Sequence, residues 1–166
     1  AAATTWMIID WFVNKKPTTV GACTGAVAGL VAITPAAGST DILGAFCIGI
    51  ISTVVCFFMV AVVKEKFKYD DALDAFGVHG MGGIIGSILT GVFATKIVTG
   101  GPCGAMEGNW HQLGIQILAT LFSIIYSSVI TFVLYKVIDR IIGMRVELRE
   151  EEEGLDVYEH SESAYN

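Results

Sequence analysis

Four long stretches almost free of charge constrain this chain more than anything else in it: residues 18–34, 42–63, 75–94 and 113–135. A helix crossing a hydrocarbon layer about 30 Å thick needs about 20 mostly apolar residues. Within that layer the backbone amides must be satisfied inside the segment, which leaves helices as the form for such runs. The composition agrees, with 54% hydrophobic residues, 16% charged residues and a mean hydropathy of +0.66, outside the range of soluble domains. The expected fold is therefore an all-α integral membrane protein, a polytopic transmembrane helix bundle. A fifth apolar stretch, residues 1–13, is too short to cross. It opens in mid-pattern as "AAATTWMII", with no initiator Met and no basic signal-peptide region before it, and the chain is expected to be truncated there. The expected organisation is a transmembrane region over 1–139, with segments at about 1–13, 18–34, 42–63, 75–94 and 113–138, then a tail over 140–166.

The basic residues orient these segments. If the segments alternate in direction, Lys15, Lys16, Lys64, Lys66, Lys68, Lys136, Arg140, Arg145 and Arg149 fall on one side and only Lys96 on the other. Under the positive-inside rule this places the tail in the cytoplasm. The formal charge of −6 arises mostly in that tail, from Glu147, Glu150, Glu151, Glu152, Glu153, Asp156, Glu159 and Glu162. On charge alone such a run reads as a solvated, partly disordered face, and nothing points to nucleic acid. Cys23, Cys47 and Cys56 lie in apolar segments and Cys103 in a loop, without CxxC spacing. They read as small hydrophobes, with no metal site and no cofactor implied.

Small residues indicate how the helices pack. Gly21, Gly25 and Gly29 recur every four residues, and Gly82 and Gly86 repeat the spacing. Lipid removes the hydrophobic drive between helices, and small residues at this interval let backbones approach closely instead.

The stretch "DAFGVHGMGG" puts one ionisable ring into an apolar segment. Asp74 stands where the charged linker meets the segment, and its carboxylate is expected to cap the first turn. On α-helical geometry Asp74 and His79 differ by about 140° and about 7.5 Å, too far for a direct dyad. The same geometry groups His79 with Ala75, Gly82, Gly83 and Gly86, all small. Two readings compete: a core histidine bonded to a neighbouring helix, or an imidazole projecting into a narrow cavity bounded by that small stripe. Ionisable groups inside membrane segments mark candidate substrate or proton pathways. Desolvation favours the neutral ring, with one donor and one acceptor, suited to a small uncharged molecule or a proton relay. His111, expected in a loop over 95–111, and His160 in the tail are remote from it, and no nucleophile–base constellation suggests an enzyme.

At these residues the chain resembles a known family. "DAFGVHGMGGIIGSILTGVFA" is similar to the late-helix motif of the Amt/Mep/Rh ammonium transporters, in their bacterial and archaeal Amt branch. "KPTTVGACTGAVAGLVAITPAAG" resembles the family's eighth helix and exit loop, and "RVELREEEEGLDVYEHSESAYN" its cytoplasmic tail. The resemblance implies a channel-like homotrimer of about eleven helices per subunit in the plasma membrane (the cell inner membrane of bacteria), passing ammonium or ammonia, with methylammonium as an analogue. This chain would supply the end of the seventh helix through the eleventh, in contact with membrane lipid. His79 would be one of two pore histidines, on a helix supported by Asp74, Gly77, Gly80 and Gly83. The family's aromatic recruitment site and phenylalanine gate lie on earlier helices, so Phe76 is neither. The tail would be ordered and regulatory, linked to nitrogen regulation by docking a PII signalling protein, with Gly154 allowing a chain reversal and Asp156, Glu159 and Tyr165 as contacts. The alternatives are a non-conducting ammonium sensor of the same fold and a packing module without a pore of its own.

Overall fold

In the computed structural model, which describes residues 1–162, the chain runs through helices joined by short turns, with no strand among the described residues. Helix α1 is Ala2–Asn14, α2 is Thr19–Ile33 followed by a 3-10 turn Thr34–Ala36, and α3 is Ile42–Phe58. A π-helical turn, Met59–Val63, carries α3 directly into α4, Lys64–Phe67. A second π turn, Ala75–Gly80, opens α5, Met81–Phe93. The short α6, Lys96–Thr99, and a 3-10 turn, Ala105–Glu107, lead to α7, Trp110–Ile142, then α8, Leu148–Glu153, and α9, Leu155–His160.

Among the described residues, four runs are long and apolar enough to cross a membrane: Thr19–Ala36, Ile42–Phe67, Ala75–Phe93 and Trp110–Ile142. They correspond to the four expected from composition, and the largest boundary differences are at the end of the second and at both ends of the last. The second continues to Phe67 through Lys64, Glu65 and Lys66, because loss of apolarity marks the edge of the hydrocarbon and does not end a helix. The last starts at Trp110, where the Asn109 side chain accepts from the Gln112 N–H at 3.2 Å. His111 is therefore helical and not in a loop.

The chain divides into two compact units, Ala1–Leu121 and Phe122–Asn166. In the first, one core cluster joins Trp6, Ala28, Cys56 and Val78, flanked by Phe57 and Val60. Trp6 and Phe57 meet edge to face at 5.2 Å. A second cluster joins Ala32, Ala36 and Ile48, flanked by Ile33, Leu89 and Phe93. The glycine stripe of α2 lies along α1. A Cβ on Gly25 would stand 2.5 Å from the Trp6 Cβ, and one on Gly29 would stand 2.4 Å from the Ala2 Cβ. On α5, a Cβ on Gly86 would stand 2.2 Å from the backbone oxygen of Ala32. The close backbone approach expected from the four-residue spacing is thus present on two separate helix pairs. Buried hydroxyls are satisfied locally: Thr53 donates to the Gly49 carbonyl at 2.7 Å and Thr90 to that of Gly86 at 2.8 Å.

The second unit holds the remainder of α7 with α8 and α9. Arg145 grips the Glu151 carboxylate through Nε and Nη2 at 2.9–3.1 Å, and Arg149 pairs with Glu153 at 2.8 Å. Exposed pairs such as these stabilise little individually. The Tyr158 hydroxyl hydrogen-bonds Glu153, which raises the phenol pKa. The acidic segment is helical, and Gly154 separates α8 from α9 at φ 106°, a conformation glycine adopts without strain. Asp156 and Glu159 lie on α9. Tyr165 lies outside the described residues.

Candidate functional site

The segment leading to His79 departs from the expected cap. Asp74 precedes the helical run, but it is left-handed at φ 54° and its carboxylate takes no N–H of that run. The capping group is Asp71, whose carboxylate accepts from the N–H groups of Ala75 at 2.8 Å, Phe76 at 3.0 Å and Gly77 at 3.3 Å. The Asp74 carboxylate instead bonds the Lys64 ammonium at 2.7 Å, and the same ammonium donates to the Asp71 carbonyl at 2.6 Å. The reason is the fold of the turn. The Asp74 N–H bonds the Asp71 carbonyl at 3.1 Å, which curls residues 71–74 so that the earlier aspartate faces the orphan donors.

The π turn also alters which residues share a face. Asp74 and His79 form no dyad, but the α-helical arithmetic behind that expectation does not apply across Ala75–Gly80. Nor does the small stripe form one wall. Gly82 faces Val31 and the Cys56 thiol, and Gly86 faces the Ala32 backbone, inside the bundle. Only Gly83 keeps company with His79, with open space where its Cβ would be. Gly77 is pressed against Val60, and Gly80 faces the Phe76 ring.

His79 is exposed on this face and borders two open grooves. One, of about 380 Å³, is lined by Thr19, Val20, Cys23, Thr24 and Val27 of α2 with Leu73, Val78 and His79. The other, of about 400 Å³, is lined by Val31, Thr34, Pro35, His79, Gly83 and Ser87. Together they follow α2 from Thr19 to the turn after Ile33, with the imidazole where they meet. Thr24 and Thr34 donate to the carbonyls of Val20 and Leu30 at 2.9 Å and 2.7 Å. Their hydroxyl protons are engaged within α2, so the oxygens present lone pairs. The track is mostly apolar, with a few acceptors and one ring that can donate or accept.

Two polar groups had no distinguishing pattern in the sequence. Asp10 sits in the apolar α1 and is 4% exposed. Its carboxylate accepts from the Thr18 hydroxyl and the Asn14 amide, both at 3.1 Å, which joins the end of α1 to the start of α2. Only the four-residue interval from Asp10 to Asn14 hinted at this. Lys64 was one of several linker lysines.

At the other end of the unit, Glu107 accepts from the Thr95 hydroxyl and, at 3.3 Å, from the Lys96 N–H. The Thr95 bond first, then the Lys96 bond, holds this carboxyl below its usual pKa. The stabilisation is therefore present above the unfolded-state pKa, about 4.3, and is lost as pH falls through the lower folded value. The protection of the Lys96 amide, the slowing of its exchange relative to the intrinsic rate at the same pH, is expected to fall with acidification in this range, and Glu107→Gln should remove that pH dependence.

Four membrane-length helices, with close glycine contacts between α2 and α5 and an ionisable ring on an open track beside α2, define a polytopic helical membrane protein. The sequence profile described as the Ammonium Transporter Family matches residues 1–165, and the chain belongs to that family. It is 51% identical to an ammonium transporter of Aquifex aeolicus over 99% of this chain and 38% of the relative. It is 41% identical to the ammonium transporter Amt1 of Archaeoglobus fulgidus over 96% of this chain and 40% of the relative. The chain thus spans about 40% of the length of such relatives. Among solved structures, Mep2 of Candida albicans superposes with a TM-score of 0.82 at 36% identity, covering 90% of this chain and 34% of that one. A structure described as a sensor Amt protein gives 0.82 at 29% identity, covering 95% of this chain and 38% of that one.

Proposed function

We propose that this chain forms the C-terminal part of an ammonium transporter and supplies one wall of its pore. The observation that carries the proposal is the position of His79 where two grooves along α2 meet, in a chain of this family. Once covered by the rest of the family's fold, this mostly apolar track would oppose a bare cation, because an ion there loses its hydration without an equal replacement. Ammonium can give its proton to water or to the His79 imidazole and cross as ammonia hydrogen-bonded to the ring, the proton moving separately. Potassium has no proton to shed, which separates two cations of similar size. Gly83 leaves the track open beside the ring, while Asp74, Gly77 and Gly80 support the turn behind it. The charge distribution supports a transmembrane region over 1–139 and a cytoplasmic tail over 140–166 in the plasma membrane. The tail's acidic helices, with Gly154, Asp156, Glu159 and Tyr165, would regulate transport by docking a PII protein under a homotrimer.

Methylammonium uptake by the complete protein tests this reading. In the complete protein, where the proposed pore encloses the ring, His79→Ala removes a hydrogen-bonding partner worth about 1–3 kcal/mol, so uptake should fall about 5- to 150-fold. His79→Asp should relax discrimination against potassium, because a carboxylate brings a negative charge that stabilises a cation. Unchanged uptake and selectivity in both variants would remove His79 from the pore. Ammonium sensing by the same fold is the second reading, and the likeness to the sensor Amt structure favours it. Absence of flux in the intact protein, with ammonium still altering a partner's activity, would select it.

A further inference from the structure

We propose that Lys64 is a positioning residue for His79, tying the 71–74 turn to the end of α3 and so fixing the rotational setting of the π turn that presents the imidazole. This rests on the transport reading above. The segment before His79 is gripped at three places by one helical run. The Lys64 ammonium donates to the Asp71 carbonyl at 2.6 Å and to Asp74 Oδ1 at 2.7 Å. Val60 packs against Gly77 so closely that a Cβ there would stand 2.8 Å from its Cγ2. The Cys56 thiol donates to the Val78 carbonyl at 3.8 Å. His79 comes directly after the last of these anchors.

The π turn Met59–Val63 puts the anchors on one face. In an unbroken α-helix, residues eight apart are about 80° out of line. A π turn accommodates about one extra residue, removing about 100° of rotation and leaving Cys56 and Lys64 within about 20° of each other. Both then face the segment that carries His79. An ammonium suits the lower anchor because it donates to a carbonyl and a carboxylate at once. It also holds Asp74 in a left-handed conformation that is uncommon outside glycine. The Lys64 and Asp74 side chains are only 29% and 27% exposed, which protects the pair from screening.

The test uses the complete membrane protein with Lys64→Met, Lys64→Arg and Asp74→Asn, reading methylammonium uptake and the 15N resonances of the His79 ring. Lys64→Met should reach the membrane, lose uptake about tenfold through misplacement of the ring, and shift both ring resonances; Lys64→Arg should restore both. Unchanged resonances in Lys64→Met overturn the proposal, whether or not uptake falls. If Lys64→Met is not recovered from membranes, Asp74→Asn decides, since it weakens the pair yet leaves the Asp71 carbonyl contact. Shifted resonances then support the proposal and unchanged ones overturn it. Failure of the wild-type protein to conduct would defeat the transport reading alone, because the ring resonances still report on positioning.

Discussion

Gly86→Leu is expected to abolish recovery of folded protein, and Gly86→Ala to lower its thermal stability markedly. The Cβ of any residue at this position would stand 2.2 Å from the Ala32 oxygen and 2.8 Å from the Ala32 carbonyl carbon and Cα. These are backbone atoms of a packed helix, so no flexible side chain can yield, and α5 must move away from α2. Overpacking by one carbon costs about 1–3 kcal/mol, and a leucine adds three more carbons at the same contact. Moving α5 also displaces Leu89 and Phe93 from the cluster around Ala32, Ala36 and Ile48. Detergent-extracted yield and a melting curve measure the effect. Gly83→Ala, in the same helix with no atom within 4 Å of its Cβ position, should melt as wild type. Equal stability of the Gly86 and Gly83 variants would contradict the packing described.

Asp71→Ala should have the second largest effect, by releasing three N–H groups at the start of the His79 segment. Losing a capping side chain costs about 0.5–2 kcal/mol, and bonds to an ionised acceptor are roughly twice as strong as neutral ones. A loss of about 2 kcal/mol follows, with faster amide exchange at Phe76 and Gly77 as its local signature. Asp71→Asn, which keeps one acceptor oxygen, should fall between. Asp74→Ala should leave exchange at Phe76 less affected, since Asp74 caps nothing. The reverse order would restore the cap to Asp74.

The contrast between the two aspartates shows where reading the sequence stops. "DDALDAFG" offers three carboxylates before an apolar run, and proximity to the run favours Asp74. The choice is made by the 71–74 turn, which depends on Lys64 from another helix. His79 could be singled out from its residue type and setting alone, because an imidazole in an apolar segment is costly wherever it lies. Its neighbours could not, because Gly82, Gly83 and Gly86 span about 100° of a helix, and only contacts with Val31, Cys56 and Ala32 show which of them face the bundle. Asp10 was obscured for a related reason: a single carboxylate near a helix end reads as solvated until Thr18 and Asn14 are seen to enclose it.

The sequence by itself determined the class of fold, the four membrane-length helices and the close packing along Gly25, Gly29 and Gly86. These depend on segment length, apolarity and the absence of a side chain, all of which are local properties. Only the tertiary structure decided which aspartate caps the turn, which small residues face the bundle, and that His79 borders two grooves. The first depends on a turn tied to a lysine of another helix and the others on rotation about a helix axis, and both are set by contacts between separate segments of the chain.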